Sequence, residues 1–244
     1  MRNLRLDICY DGTRYRGWQR LSTGDNTLQG KLEKTLSRIL DEDIEIVGSG
    51  RTDAGVHAQR QIANFHCVSQ MPADEILRQL RRYLPQDIGI YSVRDVSERF
   101  HARLNAKSKI YRYRLWVGED PCIFSRNYVT LWEKPLDLEA MQYAAKQFLG
   151  THDFSAFCAN KHFKKSTVRT VFAFDVEQTG NEIVFTVKGN GFLHNMVRIM
   201  VGTVVEVGEG TRDPDSIPVL FGAERTKAGI CMPPQGLCLM EVGY

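Results

Sequence analysis

The fold is decided by three stretches near the start of the chain: LRLDICY at 4–10, LQGKLEKTLSRIL at 28–40 and IEIV at 44–47. The first alternates apolar and polar residues, which predicts a strand. In the second, leucines recur at helical spacing, and Asn26 with Gln29 resembles a capping box, so a helix is predicted. The third predicts a short strand. A strand, a helix and a strand in this order begin a β-α-β arrangement.

The rest of the first half extends this pattern. Residues 61–67 alternate and predict a strand, Asp74 and Glu75 open a predicted helix that ends near Pro85, and Ile88–Val96 predicts a further strand. The order β-α-β-β-α-β is typical of a ferredoxin-like unit.

The second half repeats the element order, although not the residues. Residues 1–104 and 105–244 are therefore predicted to be two ferredoxin-like βαββαβ halves of an α+β protein. They are expected to join into one mixed or antiparallel sheet, with helices on one face and a central cleft that holds the site. The predicted elements of the second half are a strand at 110–116, a helix capped by Asp137, strands at 170–177 and 183–188 around the turn at 179–181, a helix at 193–207, a short helical insert at 213–221 and a strand at 237–242.

Composition places the chain among ordinary globular proteins, with 244 residues, 43% hydrophobic and 25% charged. No apolar run is long enough to span a bilayer, and the first residues do not resemble a secretory signal. The six cysteines are scattered without a C-x-x-C pair, so free thiols and a cytoplasmic location are expected.

Positive charge is concentrated in the first half of the chain. Residues 1–122 hold 20 Lys+Arg against 16 Asp+Glu, and 16 of those 20 cations are arginine, whereas residues 123–244 hold 12 against 13. Arginine suits phosphate because its donors are planar and bidentate. The excess predicts a polyanionic partner such as nucleic acid; a solvated surface of mixed charge is the alternative.

One loop breaks the symmetry between the halves. Residues 48–60 read GSGRTDAGVHAQR and join the middle strands of the first half, where the second half has a tight turn. The loop lacks the third glycine of a dinucleotide fingerprint and the Gly-Lys-Ser/Thr of a P-loop. An ion pair between Arg51 and Asp53 in a cleft would keep the carboxylate ionised and nucleophilic. Asp53 is therefore a candidate catalytic residue; an aspartate that only closes a turn is the alternative.

Aromatic and basic residues alternate in two places. The stretch KSKIYRYR puts Tyr111 and Tyr113 on one face of a strand and Arg112 and Arg114 on the other. One interpretation is a base-stacking face and a phosphate-binding face, as expected for RNA binding. The other is a core tyrosine face with a solvated arginine face. Residues 15–20, YRGWQR, have a similar alternation.

Arg198 lies among apolar residues of a predicted helix. A buried cation there needs an anionic partner unless it reaches the surface. The histidines and cysteines show no metal-ligand spacing, and the H-x-E and P-C-x-x-C motifs of base deaminases are absent. No metal or organic cofactor is therefore expected.

Together these motifs resemble the TruA family of tRNA pseudouridine synthases. The resemblance spans nearly the whole chain in the family's order. There are two departures: the segment at 21–26 is shorter than usual for the family, and residues 229–234 read GICMPP where the family usually has Thr-Ala-Pro. The motifs that carry it lie at 10–13 with 17–19, 48–58, 109–113, 150–154, 189–198 and 234–237.

The resemblance implies roles for particular residues. Asp53 corresponds to the catalytic nucleophile, Arg198 to its ion-pair partner, and Arg51 to a further basic residue near the aspartate. Tyr111 corresponds to the tyrosine that lies against the target base, and Leu237 to an apolar residue of the pocket. The predicted RNA-binding residues are Arg14, Arg16, Arg20, Arg112 and Arg114.

The resemblance also implies a fold, a reaction and partners. It implies a pseudouridine-synthase-type sheet, no cofactor, and a homodimer that shares one RNA between subunits. The implied reaction converts uridine to pseudouridine at positions 38, 39 and 40 in the anticodon stem-loop of tRNA. Two alternatives are a paralogue that acts on ribosomal RNA and a non-catalytic RNA-binding protein on the same fold.

Overall fold

The computed structural model describes residues 1–23, 26–120, 122–160 and 162–244; Gly24 and Asp25 of the segment at 21–26 thus lie outside the described residues. Over the described ranges, ten strands form a large mixed sheet accompanied by four α-helices, which confirms the predicted α+β class. The strands are β1 (Arg2–Tyr10), β2 (Ile46–Gly48), β3 (His57–Cys67), β4 (Ile88–Val96), β5 (Ser108–Val117), β6 (Thr130–Trp132), β7 (Gly150–Asp153), β8 (Val168–Thr179), β9 (Glu182–Gly189) and β10 (Leu237–Gly243). The helices are α1 (Leu28–Leu40), α2 (Ala73–Tyr83), α3 (Leu138–Lys146) and α4 (Met196–Gly208).

The chain divides into two compact units. The first contains Met1–Lys107 and Leu239–Tyr244, and the second contains Ser108–Cys238. The backbone N–H of Lys107 donates to the Gly243 carbonyl at 2.8 Å, and the Tyr244 hydroxyl donates to the Ala102 carbonyl at 2.7 Å. These bonds hold the end of the chain on the first unit, so most of β10 lies with residues 1–107 and not with the second half.

In the first unit, β1 lies between β3 and β4 and pairs antiparallel with both, and β2 pairs with β3. Leu6 of β1 is opposite Ala63 of β3 and Val93 of β4, and all three are buried. α2 packs against β4, and α1 packs against α2. The core of this unit is built from the apolar positions that the sequence periodicity predicts. Its buried members in β1, α1 and α2 include Leu4, Leu6, Ile8, Leu28, Leu32, Leu36, Ile76 and Leu80.

The N-terminus of α1 differs from the prediction. Thr27, not Asn26, is the capping residue, and its hydroxyl accepts from the Gly30 N–H at 3.3 Å. Gln29 does not reach back to the cap, because its buried amide donates to Glu33 at 2.8 Å and to the Ile46 carbonyl at 3.2 Å. The predicted capping box is therefore wrong, because the Gln29 side chain is engaged by a bond within α1 and by a tertiary bond to β2.

The second unit contains the strand order β5-β9-β8-β7, all antiparallel, with β6 parallel to β5. The predicted hairpin between β8 and β9 is confirmed, with Gly180 at φ 57°. Asp137 caps α3 as predicted, since its carboxylate accepts from the Ala140 N–H at 3.0 Å. The insert at 213–221 consists of two short 3-10 helices. The sequence did not predict β6 and β7, which have three and four residues.

Candidate active site

The loop that carries Asp53 joins β2 to β3 and spans residues 49–56, because the last four residues of the predicted loop belong to β3. At its base, the Ser49 N–H donates to the Ile62 carbonyl at 2.7 Å, and the Ser49 hydroxyl donates to the Gln61 side chain at 2.5 Å. The Gln61 amide donates in turn to the Gly50 carbonyl at 3.0 Å. Ser49 and Gln61 are fully buried, so the base of the loop is fixed to β3.

The tip of the loop is held by residues 12–18, which we call the brace. The Trp18 N–H donates to the Thr52 carbonyl at 2.9 Å, and the Gly55 N–H donates to the Tyr15 carbonyl at 3.3 Å. These two backbone bonds are made by residues 52 and 55, on either side of Asp53, the candidate nucleophile. The brace therefore sets the position of the loop through main-chain contacts.

Two glycines of the brace are required by its close approach to the loop. Gly17 has φ 87°, and a Cβ there would lie 2.8 Å from the Thr52 carbonyl oxygen and 3.2 Å from the Ala54 nitrogen. A Cβ on Gly12 would lie 2.0 Å from the Val56 carbonyl oxygen. Gly17 combines a left-handed backbone with this close contact, and Gly12 has the close contact alone; a side chain would be excluded at both positions. The opening motif that the sequence shares with the TruA family thus has a structural reason in this chain.

Asp53 is half-buried, whereas Arg51 is exposed. The Arg51–Asp53 ion pair considered from the sequence stays a prediction. Sequence analysis gave no role to His57, which is buried and whose Nδ1 accepts from the Gly12 N–H at 3.0 Å. The same Nδ1 lies 3.2 Å from Oδ1 of Asp11, the residue before the brace. His57 therefore fixes the start of the brace.

In the second unit, Tyr111 of β5 packs edge-on against Phe192. Their ring centroids are 5.3 Å apart with planes at 90°. A Cβ on Gly189 would lie 3.0 Å from the Phe192 ring, so the absence of a side chain at that position makes room for Phe192. Edge-to-face packing fixes the plane of the Tyr111 ring. Leu237, at the start of β10, is 6% exposed.

The neighbouring tyrosine of β5 belongs to the core. Tyr113 is fully buried, and its hydroxyl bonds to the Thr130 hydroxyl at 2.5 Å and to the Pro233 carbonyl at 2.9 Å. Burial raises the pKa of Tyr113, so the phenol stays protonated and able to donate. The interpretation of Tyr111 and Tyr113 as one base-stacking face is therefore wrong for Tyr113.

Arg198, in the first turn of α4, is half-buried and held by neutral oxygens of its own unit. Its Nε donates to the Met232 carbonyl at 2.6 Å, and its Nη1 donates to the Asn195 side chain at 3.1 Å. Asn195 has φ 60° and directly precedes the helix. α4 thus begins three residues after the predicted start, and the residue before the helix together with Met232 orients the guanidinium.

The five predicted RNA-binding arginines differ in their partners. Arg14 pairs with Asp87 at 2.7 Å, Arg20 with Glu33 at 2.9 Å, and Arg114 with Glu182 at 2.6 Å. A carboxylate already neutralises each of these three cations. The other two, Arg16 and Arg112, are exposed.

No group of three or more His, Cys, Asp or Glu side chains within the described ranges is arranged to hold a metal ion. The described chain also has no helix with the length and apolar character needed to cross a bilayer.

Comparisons with known proteins give consistent relatives. A family model described as tRNA pseudouridine synthase matches residues 8–105 and 144–244. A Bacillus cereus (strain ZK / E33L) protein named tRNA pseudouridine synthase A 2 is 44% identical over 245 residues, covering 100% of both chains. A Clostridium perfringens protein of the same name is 45% identical over 245 residues with the same coverage. A Bacillus sp. (strain KSM-64) protein named tRNA pseudouridine synthase A is also 45% identical, with 100% coverage of both chains.

Among solved structures, a chain of a Cbf5-Nop10-Gar1 complex aligns with 97% of this chain and 49% of its own length, at 13% identity and a TM-score of 0.39. A score of that size does not establish a common fold.

Proposed function

Because the chain belongs to the tRNA pseudouridine synthase family, we propose that it converts uridine to pseudouridine at positions 38, 39 and 40 in the anticodon stem-loop of tRNA. The observation that carries this proposal is the full-length similarity to a tRNA pseudouridine synthase A 2 at 44% identity. The two ranges matched by the family model include Asp53, Arg198 and Leu237. Tyr111 lies between those ranges, in the part of the chain that the full-length relatives cover.

The reaction is an isomerisation, so its atoms balance without a co-reactant. The C1′–N1 bond of uridine breaks, the uracil turns, and a C1′–C5 bond forms, while N1 gains a proton and C5 loses one. Asp53 supplies the carboxylate that bonds transiently to C1′ of the ribose or to C6 of the base. The braced loop supports this role, because a nucleophile must be held to within about 0.5 Å of its productive position.

Three side chains of the second unit have proposed roles: two bind the target base, and one balances the charge of Asp53. Tyr111 lies against the target uracil, and its edge-on contact with Phe192 supports this role because a fixed ring plane suits a planar base. Leu237 adds apolar surface. Arg198 is the counter-charge of Asp53, and its bonds to neutral oxygens support this role because they orient the guanidinium without neutralising it.

Arg51 is the second basic residue near Asp53, and its exposure supports contact with the RNA backbone. Modification of three adjacent positions by one site requires recognition of the shape and phosphates of the RNA and not of base identity. The arginine-rich residues 1–122 suit such recognition, and the exposed Arg16 and Arg112 are candidates for these contacts.

The family resemblance extends the proposal to assembly and location. The enzyme is proposed to be a cytoplasmic homodimer that shares one tRNA between its subunits. Light scattering of the purified protein with and without tRNA measures the subunit number. A monomer at micromolar concentration in both samples would contradict the dimer and leave the reaction untouched.

The proposed substrate is tested with unmodified transcripts that carry a single uridine at position 38, 39 or 40, and with ribosomal RNA fragments as the competing class. Chemical mapping after incubation locates each pseudouridine. Modification of all three transcripts is expected. Modification of ribosomal RNA alone would assign the enzyme to the ribosome, and binding without modification of either RNA would favour the non-catalytic alternative.

A further inference from the structure

A half-buried arginine lies beside the aromatic pair of the second unit and takes no part in the proposed chemistry. Arg169 is the second residue of β8, opposite His152 of β7. A Cβ on Gly191 would lie 3.9 Å from its Nε, so the guanidinium packs over the backbone of that glycine. Gly191 directly precedes Phe192, the residue that packs on Tyr111.

The hydrogen bonds of Arg169 use only one of its nitrogens. Nη1 donates to the Ser166 carbonyl at 2.8 Å and to the Val168 carbonyl at 2.6 Å. Over the described ranges, Nε and Nη2 have no protein acceptor, and no carboxylate pairs with Arg169. The carboxylate of Asp153, which is closest by strand register, accepts instead from the Thr167 hydroxyl and the Ser155 N–H.

This lack of a carboxylate partner contrasts with two other half-buried arginines, Arg5 and Arg212. Arg5 pairs with Asp7 at 2.8 Å, and Arg212 pairs with Glu206 at 2.8 Å. Burial lowers the pKa of Arg169, because removal of water disfavours the charged form and no carboxylate offsets the loss. An incoming anion would supply the missing compensation.

The surroundings of Arg169 indicate which anion. The sheet register aligns Val171 of β8 with Gly189 of β9 and Lys109 of β5, two residues before Tyr111. Arg169 therefore lies at the same end of the second unit's sheet as Tyr111. Lys164 and Lys165, which precede it, are exposed cations. A polyanion that places a base at Tyr111 would pass this end of the sheet with its backbone.

We infer that Arg169 binds a phosphodiester of the RNA strand that carries the target uridine, through its Nε and Nη2 donors. These two N–H groups form the planar edge that matches two phosphate oxygens. The inference rests on the proposed function, since it requires RNA as the ligand. It adds an anchor for the strand next to the base-binding pair, separate from the arginines that the sequence singled out.

The first test measures RNA affinity against salt in the Asp53→Asn background, where binding is not followed by turnover. Arg169→Met is expected to weaken binding of an anticodon hairpin by about tenfold at low salt, and to reduce the slope of log affinity against log salt by about 0.7 to 0.9, the value for one phosphate. Arg78→Met is the matched control. Arg78 pairs with Glu75 at 2.5 Å on α2. Arg78→Met therefore also removes one positive charge, but one that a carboxylate already neutralises. No change in slope is expected for it.

The second test locates the phosphate. Hairpins that each carry one neutral methylphosphonate are bound to proteins with and without Arg169. At one position, the neutral methylphosphonate should lower RNA affinity by about tenfold when Arg169 is present and by little in Arg169→Met. Such a difference is a coupling in a double-mutant cycle. Arg169→Lys keeps the charge, and it replaces Arg169→Met in the cycle if thermal unfolding shows that the methionine variant does not fold; the coupling should then be reduced.

An unchanged slope of log affinity against log salt, together with no coupling at any phosphate, would overturn the inference. Arg169 would then serve only to hydrogen-bond the carbonyls of Ser166 and Val168. A wild-type enzyme that isomerises no uridine in tRNA would instead be a failure of the proposed function. The two failures are therefore read from different samples.

Discussion

At the scale of single residues, the loop that carries Asp53 is held by backbone contacts near its tip and by the side chains of Ser49 and Gln61 at its base. The brace at 12–18 contacts the loop at 49–56 through the carbonyl and amide groups of residues 52–56, and glycines at 12 and 17 allow the approach. A loop fixed in this way loses little further entropy when RNA binds.

Asp53→Asn is expected to abolish isomerisation and preserve RNA binding. Asparagine retains the size of the side chain but cannot act as the nucleophile, so the single-turnover rate should fall by at least about 1,000-fold. RNA affinity should stay within about tenfold, which is about 1.4 kcal/mol. A substantial single-turnover rate in this variant would remove Asp53 from the reaction.

Gly17→Ala is expected to impair both stability and catalysis. The variant places a Cβ 2.8 Å from the Thr52 carbonyl oxygen at φ 87°, so the free energy of unfolding should fall by about 1–3 kcal/mol. The shifted loop should also lower the single-turnover rate by about 100-fold. Gly180→Ala is the control, because Gly180 has φ 57° in the β8–β9 hairpin with no atom within 4 Å of the new Cβ. It should cost about 1 kcal/mol and leave the rate unchanged; equal rates for both variants would contradict the role of the brace.

At the scale of elements, periodic segments could be predicted from the sequence and features set by distant contacts could not. The alternation of Leu4, Leu6 and Ile8 locates β1 because burial follows the two-residue repeat of a strand. The three residues of β6 are too few to show any repeat. Gln29 has the spacing of a capping box, yet its amide bonds to the Ile46 carbonyl on β2, a contact that no local pattern contains.

The same limit applies to the candidate site. The motif around Asp53 is contiguous, so its loop could be located from the sequence. Phe192 could not be identified, because its contact with Tyr111 depends on the pairing of β5 with β9. The glycines around it, at 189 and 191, were the available signal, since a glycine next to an aromatic residue often marks close packing.

The two tyrosines of β5 are expected to separate stability from function. Tyr113→Phe removes the bonds to Thr130 and to the Pro233 carbonyl, so the free energy of unfolding should fall by about 1–2 kcal/mol with RNA affinity unchanged. Tyr111→Leu should instead lower the isomerisation rate by about 10- to 100-fold, the value of one aromatic–base contact. Unfolding in denaturant and single-turnover kinetics measure the two effects. A loss of RNA affinity in Tyr113→Phe would return that residue to the base-binding face.

At the scale of the whole molecule, the excess of arginine in residues 1–122 overstates the charge available to RNA. Arg14 and Arg20 carry carboxylate partners, as does Arg114 of the same stretch. Composition predicts that a polyanion binds, but only the structure separates paired cations from cations such as Arg169, whose carboxylate partner is lacking in the described residues. Net charge is therefore a poor guide to the number of phosphate contacts.

The reaction is expected to proceed without a metal or organic cofactor. The substrate is an anticodon hairpin that folds in monovalent salt. Because this RNA needs no divalent ions to fold, a chelator can be added in excess. The single-turnover rate should stay within about twofold, since the proposed chemistry requires only a carboxylate. A rate that is lost in chelator and restored by one divalent ion would contradict this expectation.

The most direct test of the central claim maps pseudouridine in the RNA of cells that lack the gene. The deletion strain is complemented with the wild-type chain or with Asp53→Asn, and all tRNAs and ribosomal RNAs are mapped. Pseudouridine should disappear at positions 38, 39 and 40 of tRNA in the deletion strain, return with the wild-type chain, and stay absent with Asp53→Asn. Full return with Asp53→Asn, or changes confined to ribosomal RNA, would contradict the claim.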